Sequence, residues 1–346
     1  MILYKNYYTS NISKMVKLAS FDLDHTLIRP KFGNVFPKNL NDWEFMPFPI
    51  KSKLDKLSSD HLIVIFSNQK KTFHQKYSND EFLKKIDSIH SKLGIDFIFI
   101  AALEDDNYRK PRIGMYEHLI EKEKLEIKKG KSFFVGDMAG RKTDKYDTDL
   151  KFAKNIGIQF MTPEEYFLNQ SSENYKIRGY KLDNYSKNND NLLINISPQR
   201  KVMVVISGYP GSGKSHLANK LADNKSTIIS KDNFGNKFNK KLKESLKDGN
   251  YTIVEGLYSN NISRNKLKEL ASKYNYNTKY IMVNTSYNLS YHLNIYRSLY
   301  KNKKKIPEVV YMKYKKEFEY PLEEDWDEII NYHPHIPRKV NNMYLY

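Results

Sequence analysis

The sequence predicts two α/β domains, each built on a parallel sheet. Three features carry that expectation. Short apolar runs ending in polar residues recur in two blocks of the chain. Stretches with helical period separate the runs. A polar, Asn-rich stretch from about residue 170 to 201 divides the blocks and reads as a linker that packs in part through its tyrosines. At roughly 100–200 residues per domain, 346 residues fit two domains. The expected limits are 1–170 for the first domain, 171–200 for the linker and 201–346 for the second.

In the first block the buried-strand candidates are LASFDLD, LIVIFSN, DFIFIAA and SFFVGD. Between them EFLKKIDSIHSKL puts Phe82, Ile86 and Ile89 on one helical face. The second block opens with VMVVISG and continues through TIIS, YTIVEG and TKYIMVN, with KSHLANKLADN and SRNKLKELASKY as intervening helices. No internal repeat is visible. His333 and His335 are expected to be an exposed pair, since no third ligand lies near them in sequence.

Composition closes off several functional classes. With no cysteine there is no disulfide scaffold, thiol nucleophile or Cys-ligated metal site. No apolar run approaches the ~20 residues of a membrane span, and the first residues lack the apolar core of a signal peptide. An intracellular, non-membrane protein is expected, with nucleus and cytoplasm left open. The 58 Lys and Arg against 40 Asp and Glu leave a net charge of +18, which favours an anionic partner such as nucleic acid. An AT-rich genome, viral or protist, would also enrich Lys, Asn, Tyr and Ile.

Gly208 to Ser215, GYPGSGKS, matches G-x-x-x-x-G-K-[ST] in full, directly after a strand candidate and before a helical pattern. Gly208, Gly211 and Gly213, with Ser212, let backbone N–H groups turn inward around a phosphate. The next helix adds its positive end. Lys214 is placed to span the β- and γ-phosphates of ATP, and the Ser215 hydroxyl to bind Mg²⁺. Transfer to an alcohol needs a proton acceptor, and Asp232 closes the strand candidate TIIS at the sheet edge that faces ligands. Glu255, at the end of TIVEG, is a further candidate for the Mg²⁺ shell. Arg264 and Arg297 are candidates to clamp phosphates.

In the first block Asp22-Leu23-Asp24-His25-Thr26 reads D-x-D-x-T after LASF. Ser67-Asn68-Gln69, Lys110 and Gly136-Asp137 follow in order. This set resembles haloacid-dehalogenase-like phosphatases. The resemblance implies that Asp22 attacks phosphorus to form an aspartyl-phosphate, while Asp24 protonates the leaving oxygen and then activates water. Two carboxylates repel a phosphate, so Mg²⁺ is implied, held by Asp22, the Asp24 carbonyl and Asp137. Lys110 offsets the remaining charge. Thr26, Ser67 and Asn68 are candidate substrate contacts. Lys110 and Arg112 are expected to form basic rims that guide a strand end into the acidic cleft.

A phosphatase of this class ahead of a phosphate-loop kinase resembles the polynucleotide kinase 3′-phosphatase family. YRKPRIGMYEHL, FFVGDMAGR, TPEEYFL, SKDNFG, SRNKL and IPEVVYMKYKKEFEYP add to the likeness, which runs from about Lys17 to Tyr332. It implies a bifunctional end-repair enzyme whose kinase base is Asp232 and whose lid arginine is Arg297. Implied partners are DNA with 3′-phosphate or 5′-hydroxyl ends and a ligase that takes over the product. A monomer is expected. His25 stands where the family usually has Gly, Glu255 replaces an Asp, and one lid arginine stands where two are expected. The eukaryotic N-terminal phosphopeptide-binding domain is not expected. The rival readings are an RNA or tRNA end-healing enzyme, a metabolite kinase–phosphatase fusion and a binding scaffold with relict sites.

Overall fold

In the first half of the chain the apolar runs become adjacent strands. Strands β1 (Ile2–Asn6), β2 (Leu18–Phe21), β3 (Leu62–Asn68), β4 (Ile98–Ala102), β5 (Phe133–Val135) and β6 (Gln159–Met161) form one sheet in the order β1-β4-β3-β2-β5-β6. All pairings are parallel except that of β1 with β4. The computed structural model describes residues 1–31, 33, 37–70, 77–179 and 198–334. These divide into two compact units, one up to residue 179 and one from residue 198. Most of the linker stretch and His335 lie outside the described residues.

Period-two alternation sends side chains to both faces of the first sheet. Ala19, Phe21, Ile63, Ile65 and Phe99 pack on one face with helices α1 (Ile50–Ser58) and α2 (Asn79–Leu93). Leu18, Val64, Phe66, Ile100 and Phe134 pack on the other, with α3 (Gly114–Glu123) and α4 (Thr148–Ile156). Phe82, Ile86 and Ile89 are buried together, as their spacing predicts. The Ser78–Glu81 capping box starts α2 and left-handed Gly94 ends it. A second box, Thr162–Glu165 with Pro163 at the first turn, starts α5 (Pro163–Leu168).

The second unit has a fully parallel sheet. Its strands are β7 (Val202–Ser207), β8 (Thr227–Ser230), β9 (Thr252–Gly256), β10 (Asn277–Val283) and β11 (Glu328–Tyr332), in the order β8-β9-β7-β10-β11. Helix α6 (Lys214–Leu221) packs on one face; α8 (Phe238–Lys247) and α9 (Asn261–Ser272) pack on the other. The short α7 (Lys231–Phe234) follows β8, while α10 (Tyr287–Tyr300) and α11 (Glu308–Glu317) lie between β10 and β11. In each unit the motif-bearing strand, β2 or β7, lies inside the sheet with later strands added on both sides. That is the topological switch point where open α/β sheets bind ligands. β1, β6 and β11 escape sequence reading because they are short or half-exposed edges. No helix among the described residues is long and apolar enough to cross a membrane.

Arg264 corrects a sequence expectation. It is 0 % exposed and packs over the Tyr280 ring at 5.2 Å. Its guanidinium donates to the carbonyls of Tyr258 (3.0 Å), Ser259 (3.0 Å) and Glu319 (2.5 Å) and to Asn261 Oδ1 (2.7 Å). Four donors are consumed inside the core, so this arginine ties β9, α9 and the segment after α11 together and offers a phosphate nothing. Replacing it by leucine takes a partner from the buried Ser259 carbonyl, at about 1–3 kcal/mol, and from the partly buried Tyr258 and Glu319 carbonyls at lesser cost. Arg264→Leu should therefore destabilise the second unit by about 3 kcal/mol, read as a lower denaturant midpoint. A loss under about 1 kcal/mol would show the arginine to be dispensable for folding.

Candidate active sites

In the first unit β2 ends at Phe21 and delivers Asp22, whose amide donates to the Val135 carbonyl of neighbouring β5 at 2.8 Å. The following turn closes with His25 N to Ile28 O at 2.7 Å. His25 sits there at φ +58°. That left-handed backbone accounts for the glycine expected at this position, since glycine adopts it without cost and histidine tolerates it. Lys110 arrives from the loop before α3, with a cis bond to Pro111. Its ammonium lies 2.6 Å from Asp22 Oδ1 and 2.8 Å from Asp149 Oδ1, and the residue is only 3 % exposed.

Asp149 has no place in the sequence-based set, yet it completes the cluster. Asp22, Asp137 and Asp149 each offer a carboxylate oxygen within 4.8 Å of the other two. Gly136 is required for this, because a Cβ there would lie 2.5 Å from Asp149 Oδ2. Asp149 Oδ2 also accepts from Met138 N at 3.1 Å. In sequence, an acid in a helix's first turn reads as a dipole partner. The available signal was its closeness to the Gly136-Asp137 pair.

Ser67 and Gln69 share one side of the β3 end. Gln69 donates through Nε2 to Asp24 Oδ2 at 2.6 Å and to Ser67 Oγ at 2.8 Å. This leaves the Ser67 hydroxyl hydrogen free to point at a ligand. The period-two alternation of a strand was the signal for Gln69. Asn68 is corrected from substrate contact to support. Its Oδ1 accepts from Lys110 N at 2.9 Å and its Nδ2 donates to Lys110 O at 3.2 Å, so its amide fixes the lysine's backbone. Thr26 is 0 % exposed, and its hydroxyl has no hydrogen-bond partner among the described residues. The basic-rim expectation also fails. Lys110 is inside the site, and buried Arg112 pairs with Asp105 at 2.8 Å.

Burial pushes the Asp22 carboxyl up to about 7; Lys110 opposes the shift, while Asp149 and Asp24 add to it. Burial, with Asp149 and Asp22 beside it, raises Asp137 well above the carboxylate range. Three acids against one ammonium leave surplus negative charge that only protons or a cation can balance. Oxygen-only donors in that number suit a hard divalent ion such as Mg²⁺.

In the second unit the phosphate loop follows β7. Gly208, Gly211 and Gly213 have φ of +152°, +75° and +97°, and a Cβ on Gly211 would lie 2.9 Å from the Ser290 carbonyl. The Tyr311 hydroxyl, from α11, donates to Pro210 O at 2.8 Å. The Tyr209 ring packs 4.5 Å from that of Tyr314. Lys214 Nζ donates to the loop's own carbonyls, Gly208 O at 2.9 Å and Tyr209 O at 2.6 Å. Burial lowers its pKa to about 8, offset in part by Glu255 and Asp232 and deepened by Arg297. Ser215 Oγ donates to Glu255 Oε2 at 2.8 Å, so hydroxyl and carboxylate meet at the end of β9. Ser212 is 0 % exposed within the loop.

Lys214, Ser215, Asp232, Glu255, Arg297 and Lys301 all line one cavity of about 1970 Å³. Single ligands typically fill 300–1,000 Å³, so this one has room for a nucleotide and a second molecule. Asp232 is exposed in the first turn of α7, whose cap is Ser230. Arg297 sits on α10, its Nε without a partner among the described residues.

A family model described as polynucleotide kinase 3 phosphatase matches residues 17–167. The chain is 31 % identical over 323 residues to the bifunctional polynucleotide phosphatase/kinase of Schizosaccharomyces pombe, a match covering 91 % of this chain and 78 % of that protein. It is 32 % identical over 208 residues to the polynucleotide 3′-phosphatase of Saccharomyces cerevisiae, covering 44 % of this chain and 87 % of the yeast protein. An uncharacterized 20.8 kDa protein of Autographa californica nuclear polyhedrosis virus is 38 % identical over 167 residues, covering 46 % of this chain and 90 % of the viral protein.

The carboxylate cluster generates a prediction with a definite sign. A carboxyl whose pKa is raised on folding holds a proton the unfolded chain has released. Its stabilising contribution is present at low pH and is lost as pH rises through the folded value, about 7 for Asp22. Mg²⁺ competes with those protons. The unfolding midpoint of the first unit in Mg²⁺, minus that in EDTA, should therefore grow from about pH 5 to about pH 8. Asp149→Asn should shrink the difference. Equal midpoints with and without Mg²⁺ at about pH 8 would exclude a divalent-cation site.

Proposed function

The chain belongs to the polynucleotide kinase 3′-phosphatase family, and on that premise we propose how its two sites divide the work. It is a bifunctional nucleic-acid end-repair enzyme, a polynucleotide 3′-phosphatase and a polynucleotide 5′-hydroxyl kinase. The observation that carries the reading is one chain holding both an acid cluster around a buried lysine and a phosphate loop with a paired hydroxyl and carboxylate.

In the phosphatase unit, Asp22 attacks phosphorus and the 3′-ester P–O bond breaks. Asp24 gives its proton to the leaving 3′-oxygen. It then takes a proton from the water that hydrolyses the aspartyl-phosphate, which restores both carboxyl groups. Gln69 holds the Asp24 carboxylate in place, and Ser67 donates to a phosphate oxygen. Lys110 balances part of the charge on Asp22 and the phosphate. Asp22, Asp137 and Asp149, with the Asp24 carbonyl, would hold Mg²⁺, which supplies the remaining positive charge.

In the kinase unit, Asp232 accepts the proton of the 5′-hydroxyl as that oxygen attacks the γ-phosphorus of ATP. Lys214 and Arg297 neutralise charge on the transferred group. Ser215 and Glu255 would hold the Mg²⁺ that accompanies ATP. Lys214, held by loop carbonyls, must exchange those partners for phosphate oxygens. The charge of +18 supports a polymeric substrate, taken here as DNA with 3′-phosphate or 5′-hydroxyl ends. The product ends, 3′-hydroxyl and 5′-phosphate, are those a ligase joins.

The test is a nicked duplex carrying 3′-phosphate and 5′-hydroxyl ends, run with matched DNA and RNA strands. Asp22→Ala should abolish 3′-phosphate release and leave 5′-phosphorylation within a few-fold. Lys214→Ala should do the reverse, because each change removes charge or nucleophile from one unit only. Release at the wild-type rate by Asp22→Ala would overturn the covalent mechanism. Faster turnover of the RNA strands would move the enzyme to RNA end healing.

Phosphate binding requires the Lys214 ammonium. With a folded pKa of about 8, ATP affinity should be flat below that pH and fall above it by up to about tenfold per unit, with proton uptake on binding. Calorimetry in buffers of different ionisation enthalpy checks both. Constant affinity to about pH 9.5 would contradict the lowered pKa.

A further inference from the structure

Asp137 and Asp149 stand at the two ends of one loop, residues 138–147 between β5 and α4. Part of that loop holds itself: Ala139 N and Arg141 N both donate to Asp144 Oδ2 at 3.0 Å, and Arg141 donates to Asp137 O at 3.0 Å. The outer stretch, Gly140 and Asp144 to Asp147, is held from elsewhere. Residues 175–178, beyond α5 and inside the stretch read from sequence as linker, lie across it. Lys176 N donates to Gly140 O at 3.1 Å, and Arg178 N donates to Asp147 Oδ2 at 2.7 Å. The Arg178 guanidinium donates to Lys145 O and to Asp144 O, each at 2.6 Å.

The fit is close. A Cβ on Gly140 would lie 2.6 Å from Lys176 O. Asp147 is 5 % exposed and precedes α4, the helix bearing Asp149; its other oxygen pairs with Lys151 of that helix at 3.1 Å. Tyr175 anchors the start of the segment, its hydroxyl donating to Glu165 and its ring against Phe160 at 5.6 Å. The match to the family model ends at residue 167, ahead of this strap.

We infer that residues 175–178 belong to the phosphatase unit as a strap, and that Arg178 is a positioning residue that sets the spacing of Asp137 and Asp149 by pinning the loop between them. Without the strap, one Asp147 oxygen and three loop carbonyls, those of Gly140, Asp144 and Lys145, lose the partners it supplies. The loop then samples other conformations, and the two carboxylates converge on a cation less often. Groups that orient metal ligands typically change metal affinity by 10–100-fold when removed. This inference rests on the reading of Asp22, Asp137 and Asp149 as a cation site.

The experiment titrates the full chain with Mn²⁺ alone, without ATP, and follows free Mn²⁺ by electron paramagnetic resonance. Asp149→Asn marks the component belonging to the cluster. Arg178→Ala should weaken that component about tenfold, and Arg178→Lys, which can reach one of the two carbonyls, should fall between. Lys176→Pro, which removes the amide that donates to Gly140 O without altering the loop, should weaken it as well and stands in if Arg178→Ala does not fold. Affinity within about twofold of wild type in folded Arg178→Ala and Lys176→Pro, with Asp149→Asn weakened, would overturn the strap. An unchanged Asp149→Asn would instead overturn the cation-site reading beneath it.

Discussion

The ammonium of Lys110, wedged between Asp22 and Asp149 at 2.6 and 2.8 Å, is the contact on which the phosphatase site depends. A charge buried at 3 % exposure is tolerable only with close, hydrogen-bonded counter-charges. Here two carboxylates converge on one lysine while a third, Asp137, stays beside them. The imbalance is useful. A site neutral in itself would draw in no divalent ion, and it is that ion's charge that lets the carboxylates accept a phosphate beside them. Much of the surrounding structure serves this geometry: Asn68 clamps the lysine's backbone, Gly136 makes room for Asp149, and the strapped loop sets the distance from Asp137 to Asp149.

The kinase unit solves the opposite problem. Its phosphate loop points N–H donors and a lysine at an anion, and the loop's own carbonyls accept from that lysine. Lys214 lies on Gly208 O and Tyr209 O, and Tyr311 holds Pro210 from the outside. The helix pair that carries Arg297 thus leans on the loop it serves. One unit collects acids and imports a cation, whereas the other collects donors and imports an anion.

Three basic or polar residues behave differently from their sequence reading, for one reason. Arg264, Arg112 and Asn68 are polar residues near motifs, which in sequence suggests ligand contact. Each is instead consumed by protein groups: carbonyls for Arg264, an acid and a carbonyl for Arg112, a backbone amide and carbonyl for Asn68. Satisfying the interior takes precedence over reaching the solvent-facing ligand.

The sequence by itself determined which chemistry each half carries. Asp22, Asp24 and the Gly208–Ser215 loop lie within a few residues of a strand end, where chain direction alone puts them at the sheet edge that faces ligands. All the apolar runs but TIIS, which forms an edge, likewise become central strands, because burial on both faces demands uninterrupted apolar residues. Only the tertiary structure decided the partners reached across the chain. Lys110 meets Asp22 from 88 positions away, Gln69 meets Asp24 from 45 and Glu255 meets Ser215 from 40, and sheet order brings them together. The strap was hidden for the same reason. Arg178 reaches a carboxylate and two carbonyls 31 to 34 positions back in the chain, a separation that no local pattern signals.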